Sequence, residues 1–328
     1  MLNATTVDGA FDLTSMDADG FTLDVTNQFA TSYRVHYWAI TGTTNVEIGA
    51  MTASLALGNV DTVLAGAFQP DALILIGEQT TSAPPSTAPD SMHMMGVATA
   101  ATNQAVMVMG SNDAASTMDA NSSANGSECV AIMASSMASI VARAAFVQFN
   151  ADGFRLNWTE VSGNAHQMFY IAIQGGEWAV GDILTQTDTV TTIPISGLGF
   201  TPVGGLFGSV CAAEDALDAI HANDKWSLGG WSENATTRGT HAVLDEDNVA
   251  NSEVSTAVEF DAVYANISTA SAIQGLMDIQ SVDADGLTLI MDDADPSQSF
   301  VFYLMCGNVA ATGWEQLLSQ RRNHLVIG

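Results

Sequence analysis

Two acidic runs in this 328-residue chain have the residue types and spacing to do chemistry: Asp17-Ala18-Asp19-Gly20 and Asp283-Ala284-Asp285-Gly286. Alternate aspartates before a glycine open the calcium loops of helix–loop–helix proteins, where oxygen ligands converge on a hard cation and glycine permits the sharp turn. Such a loop also needs a third aspartate and a bidentate glutamate at its twelfth position. Counting from Asp17, that place holds Gln28, and the related run in the middle of the chain starts with Asn150. An Asp-Gly turn at the opening of a strand explains the pattern without an ion. No cofactor and no metal is therefore expected. Asp17, Asp19, Asp283 and Asp285 remain the candidates for a loosely held structural cation.

Other catalytic patterns are missing. The six histidines form no His-x-x-x-His or His-x-His pair, so zinc spacing is absent. Neither a Gly-x-Ser-x-Gly elbow nor a Gly-x-x-x-x-Gly-Lys-Ser/Thr loop occurs. The 36 acidic residues offer many carboxylate pairs, and no spacing singles one out for sugar hydrolysis. An enzyme is not expected. Trp226 and Trp231 flank Gly229-Gly230 in a polar stretch, so they are the candidates for exposed glycan contact. Trp158, by contrast, has Val25 and Met291 as counterparts and reads as a core position. Cys129, Cys211 and Cys306 are odd in number and widely spaced, which suits buried thiols behaving as small hydrophobes.

The elements that carry these residues are repeated. Ala18-Asp19-Gly20-Phe21-Thr22-Leu23 returns as Ala151-Asp152-Gly153-Phe154-Arg155-Leu156 and as Ala284-Asp285-Gly286-Leu287-Thr288-Leu289; 153 − 20 and 286 − 153 both equal 133. Tyr37, Tyr170 and Tyr303 keep the same step. A period of this size is that of a small globular domain, copied in tandem. Alternation of Phe21, Leu23 and Val25 with Thr22, Asp24 and Thr26 predicts a strand with one face on a core. The runs Tyr33–Ile40, Met168–Ile173 and Phe300–Met305 are almost continuously apolar and suit central strands. Between the alternating strand and the apolar run lie the polar stretches Asn27–Thr31, Glu160–Ala165 and Asp292–Ser299, so each copy reads as a β-hairpin made of those two strands.

Phe68-Gln69-Pro70 aligns with Phe200-Thr201-Pro202, Gly96–Gly110 with Gly229–Leu244, and Cys129–Ile132 with Ala262–Ala265. The polar tracts Thr80–Pro89, Ser111–Ser127 and Asp245–Ser255 read as long loops. This divides the chain into an N-terminal half-repeat (1–48), a first full β repeat (49–176), a second full β repeat (177–308) and a C-terminal docking tail (309–328). The half-repeat could be completed by strands of a neighbouring subunit. Helix signals are confined to Ala212–Ala222 and to the tail, where Trp314, Leu317, Leu318 and Arg321 follow a Thr312 cap at helical spacing. The expected class is all-β: tandem sandwich or jelly-roll-like repeats with a short helical tail.

Seven basic residues stand against 36 acidic ones, a net charge of −29, and Lys225 is the only lysine. Binding to nucleic acid or to an anionic membrane is excluded on that balance, since little is available to neutralise phosphates. No apolar run is long enough to span a bilayer, and Met1–Thr5 has the features of no secretory leader. With 47% apolar and only 13% charged residues the chain can bury a core. So much like charge is tolerated best in concentrated salt, where the screening length falls to about 3 Å at 1 M. The profile of abundant aspartate with almost no lysine resembles that of proteins from salt-accumulating halophiles. In the tail, Arg321 and Arg322 follow Trp314, Leu317 and Leu318, a combination suited to docking on an acidic neighbour.

The run Asp-Gly-Phe-Thr-Leu followed by an aromatic-rich strand ending in glycine, as in Asn150–Thr159 and Tyr170–Gly176, resembles a repeat of structural proteins from tailed viruses and prophages. Gly66–Asp71 and its echo Gly199–Pro202 fit the same pattern, and together the motifs cover about half of the chain. The resemblance transfers no catalytic residue. It implies a virion component of a haloarchaeal or other halophile tailed virus, a capsid decoration, turret, tail or fibre element. Its expected partners are itself, as a symmetric homo-oligomer such as a trimer, and other virion proteins. The alternative is a carbohydrate-binding or adhesive β-sandwich module that meets a host surface glycan.

Overall fold

The computed structural model describes residues 9–17, 20–28, 37–40, 42–82, 90–112, 119–214, 216–232, 235, 237–249 and 254–307. The chain divides into two compact units, residues 1–41 with 310–328, and residues 42–309. In the first, β1 (Ala10–Asp17) and β2 (Gly20–Asn27) form an antiparallel hairpin. Its turn is the Asp-x-Asp-Gly run, and a bulge between Leu13 and Ser15 shifts the register.

The second unit holds two β-sandwiches in succession. The first is built from β3 (Asn45–Thr52), β4 (Gly58–Val63), β5 (Ala72–Glu78), β6 (Ser91–Ala100), β7 (Asn103–Ser111), β8 (Ala120–Asn125), β9 (Val130–Met133), β10 (Ile140–Asn150), β11 (Gly153–Glu160) and β12 (Gln167–Gln174). One sheet runs β3-β12-β5-β6-β7-β8 and the other β4-β11-β10-β9. The second sandwich is built from β13 (Glu177–Leu184), β14 (Ile193–Ser196), β15 (Pro202–Ser209), β17 (Asp224–Ser232), β18 (Thr237–Asp245), β19 (Val254–Glu259), β20 (Tyr264–Ile267), β21 (Ile273–Asp283), β22 (Gly286–Asp293) and β23 (Phe300–Gly307). Its sheets run β13-β23-β15-β17-β18-β19 and β14-β22-β21-β20, the same order strand for strand. A two-residue strand, β16 (His221–Ala222), leaves the second sandwich to pair with β8, adding a seventh strand to the large sheet of the first.

The expected hairpin does not form: β11 and β12 lie in opposite sheets of the first sandwich, as β22 and β23 do in the second, so each polar loop crosses between sheets. The antiparallel hairpins are instead β1–β2, β10–β11 and β21–β22, closed at the Asp-Gly run, and the bulge recurs at Phe146/Gln148 and Ile279/Ser281. The apolar runs at 168–173 and 300–305 are central strands, with β12 between β3 and β5 and β23 between β13 and β15. Of the matching run at 33–40, residues 33–36 lie outside the described residues and 37–40 are not in a strand. Phe146, Phe154, Leu156, Trp158 and Tyr170 join Leu73, Leu75, Val106 and Ile132 in the first core. Phe207, Trp231, Tyr264, Leu287, Leu289 and Met291 fill the second.

Glycine is required where two strands come together. A Cβ on Gly153 would stand 2.0 Å from the Thr62 carbonyl oxygen, and one on Gly286 1.9 Å from that of Ile195. Gly96 and Gly229 meet the backbone of Cys129 and Val263 in the same way, at 1.8 and 1.9 Å. Gly49 and Gly181 instead lie under the rings of Tyr170 and Tyr303, their direct cross-strand partners.

Several expectations are corrected. No helix forms in 212–222 among the described residues; Ala216–Ala219 closes a single turn and His221–Ala222 goes to β16. The tract Ser111–Ser127 contains a strand, β8, because small residues let it pack closely while Ser122 and Ser123 donate to the carbonyls of Asn223 and Leu217. The boundary between 48 and 49 falls inside β3, so the module begins by Asn45. Cys129 corresponds to Val263, since both amides bond the facing strand at Ala144 and Met277, and the earlier alignment with Ala262 slips by one. The helical tail lies outside the described residues.

Candidate functional site

In the first and third hairpin turns the leading aspartate is held by hydroxyls of its own hairpin. Asp17 accepts from the hydroxyls of Ser15 (3.0 Å) and Thr22 (2.9 Å). Asp283, two periods on, accepts from Ser281 (3.3 Å) and Thr288 (3.1 Å). In the middle copy all three residues change together: Gln148 donates to Asn150, Asn150 donates to Asp61, and Arg155 forks onto the same Asp61 at 2.7 and 2.8 Å. Two hydrogen bonds from Arg155 and one from Asn150 hold the Asp61 carboxyl down to about 2. Asp285 accepts from the amides of Gly197 and Gly199. Asp19 lies outside the described residues. Among the described residues, no three His, Cys, Asp or Glu side chains gather in a way that could hold a metal.

The pair Trp226 and Trp231 does not form the expected exposed platform. They are five residues apart on β17, an odd spacing that sends them to opposite faces of the sheet. Trp231 is only 2% exposed and belongs to the second core, its indole N–H without a hydrogen-bond partner. Trp226 is half-buried, edge-on to His241 at 5.4 Å. The interface residues proposed for the tail, Trp314, Leu317, Leu318, Arg321 and Arg322, lie outside the described residues.

A feature without a sequence signal is the polar seam between the two sandwiches. Ser111 at the end of β7 donates to Asp245 at 2.7 Å, and the Ala120 amide to Asp247 at 3.1 Å. Ser122 and Ser123 reach across to Asn223 and Leu217, and the Gly126 amide to Glu214. Asp224 and Asp245 stand directly opposite each other on β17 and β18, 7% and 8% exposed. Like charges in that position repel. Burial first, and the Asp245 charge second, push the Asp224 carboxyl up to about 7, and its Oδ1 lacks a hydrogen-bond partner. Asp224 therefore gives up its proton only near neutral pH, far above an ordinary carboxyl. Beside it, a cleft of about 300 Å³ is lined by Ser122, Cys211, His221, Asn223, Lys225 and Ser297. Lys225 is engaged there by Asn266 at 3.1 Å.

The thiols are unreactive by environment. Burial raises all three, Cys211 to about 12 and Cys306 to about 11. Cys129 and Cys211 are buried, while Cys306 is half-buried. Sequence similarity adds nothing to this inventory: no protein-family model matches the chain, and no curated protein is similar enough to be a relative. The arrangement fastens the two sandwiches to each other through hydrogen bonds.

Proposed function

We propose that this chain is a structural subunit of a virus particle, a capsid decoration, turret, tail or fibre component that assembles as a symmetric oligomer. One observation carries the reading: what recurs at the repeat period is packing, and what varies is polar chemistry. Gly153 and Gly286, Gly96 and Gly229, and the Gly49–Tyr170 and Gly181–Tyr303 pairs all recur. Meanwhile the Ser–Asp–Thr set around Asp17 and Asp283 becomes Gln148, Asn150 and Arg155 in the middle copy, and Glu47, which binds Tyr170, is replaced in the first strand of the second copy by Ala179. A duplicated enzyme or lectin would copy its site along with its scaffold. A duplicated building block needs only the scaffold. The resemblance of the hairpin motif to tailed-virus repeats and the −29 charge favour a particle exposed to concentrated salt.

Peptide mass spectrometry of purified particles tests this. The chain should be recovered at constant stoichiometry to the capsid protein. Its absence from particles, or glycan binding abolished by Trp226→Ala, would favour the adhesive module instead.

A further inference from the structure

The face that β10–β11 and β21–β22 bury in the two sandwiches is exposed on β1–β2. Leu13 is 58% exposed, whereas its counterparts Phe146 and Ile279 are at 2% and 7%. Val25 is 42% exposed, against 2% and 1% for Trp158 and Met291. Met16 is 69% exposed, and its counterparts Phe149 and Val282 pack on the cores. The register is shared: Phe11 faces Val25 as Ala144 faces Trp158 and Met277 faces Met291. Phe21 even keeps its edge-on contact with Tyr37, at 4.9 Å, as Phe154 does with Tyr170 at 5.4 Å. Gly20 has nothing within 4 Å of its would-be Cβ, where Gly153 and Gly286 meet a neighbouring strand. A two-stranded hairpin is marginal in water, and this one retains a core-facing pattern with no core over it among the described residues.

We propose that the chain's own residues 308–328 cover this face. Three properties of the segment fit. It is apolar where cover is needed, with Trp314, Leu317, Leu318, Leu325, Val326 and Ile327. It is cationic in a chain of −29, carrying Arg321 and Arg322 against the single acid Glu315, whereas residues 9–28 hold Asp12, Asp17, Asp19 and Asp24 and no lysine or arginine. The segment is also long enough. Leaving β23 at Gly307, it reaches up to about 70 Å when extended, so length does not prevent closure, and attachment to the same chain supplies a high effective concentration. This holds whether or not the protein proves to be a particle component.

Hydrogen exchange on the full-length chain in molar salt reads the contact. Replacing Leu317 and Leu318 by serine should speed exchange across residues 9–28 by about tenfold, leaving 168–173 and 300–305 unchanged as controls. Met16→Ser, an exposed substitution that the fold tolerates, should speed exchange in 308–328 in return. Unaltered exchange at 9–28 in the tail variant overturns the proposal. So does protection that rises with protein concentration, which would assign the face to a second copy.

Discussion

The two sandwiches share strand order, core positions and close-approach glycines, yet they fasten their hairpins differently. In the first, Arg155 ties β11 outward to Asp61 on β4. In the second, Thr288 turns inward to Asp283 within its own hairpin. The first closes its large sheet with Ser91 at the start of β6, where the second places Asp224, buried opposite Asp245. Positions that set the distance between strands have one solution and recur. Positions that satisfy a surface or seam have many, and have drifted. Copying preserves geometry first.

The largest effect expected comes from adding side chains where the copies agree. Gly153→Val and Gly286→Val should each cost about 3 kcal/mol or more, since a backbone carbonyl stands in the way and cannot yield as a side chain would. Gly20→Val, at the same motif position without a facing strand, should cost less than about 1 kcal/mol in its own unit. Urea titration in molar salt compares the three. Equal costs would mean that the glycines serve the turn and not the strand contact.

Next comes the seam. A carboxyl whose folded pKa is raised binds its proton while the unfolded chain has lost it, so stability falls as pH rises from about 4 to about 7 and is level above that. Asp224→Asn should remove this slope and stabilise the protein at pH 8 by roughly 2–4 kcal/mol. Ser91→Asp, the converse change in the first sandwich, should introduce no such slope because Ser91 is exposed. Denaturation midpoints from pH 4 to 8 decide it; a slope that survives Asp224→Asn would place its origin elsewhere.

Tyr170→Phe comes third. Its hydroxyl donates to Glu47 at 2.8 Å, and burial followed by that carboxylate raises the phenol to about 12. Loss of the bond should cost about 1 kcal/mol, with the Gly66 and Ala65 amides still holding Glu47. Tyr303→Phe should cost less, since Ala179 stands at the position that Glu47 holds in the first copy. Smallest is the exchange of the hairpin fastenings, Gln148→Ser, Asn150→Asp and Arg155→Thr together, which rebuilds in the first sandwich the turn found in the second. Both partners of the Arg155 pair are partly exposed, so no change in midpoint is expected in molar salt.

Much of this was readable from residues. The repeat period, the alternation at Phe154, Leu156 and Trp158, and the apolar run at 168–173 gave the strands, because burial on one or both faces leaves a compositional mark. Their pairing was not legible: a polar loop joins strands of one sheet or of two with the same composition, and β11 and β12 lie in different sheets. The edge strand β8 left none: Ala-Asn-Ser-Ser-Ala-Asn looks like a loop until the neighbouring sandwich supplies acceptors for its hydroxyls. Trp231 misled because flanking glycines suggested exposure, whereas Gly205 makes room for the indole across the sheet. The Asp224–Asp245 pair depends on the register between β17 and β18, which composition does not reveal.

The central claim is that a duplicated scaffold serves as building material. Native mass measurement in molar salt tests it most directly. A single discrete multiple of 34.2 kDa, stable on dilution, is the predicted result. A monomer at every concentration would contradict it.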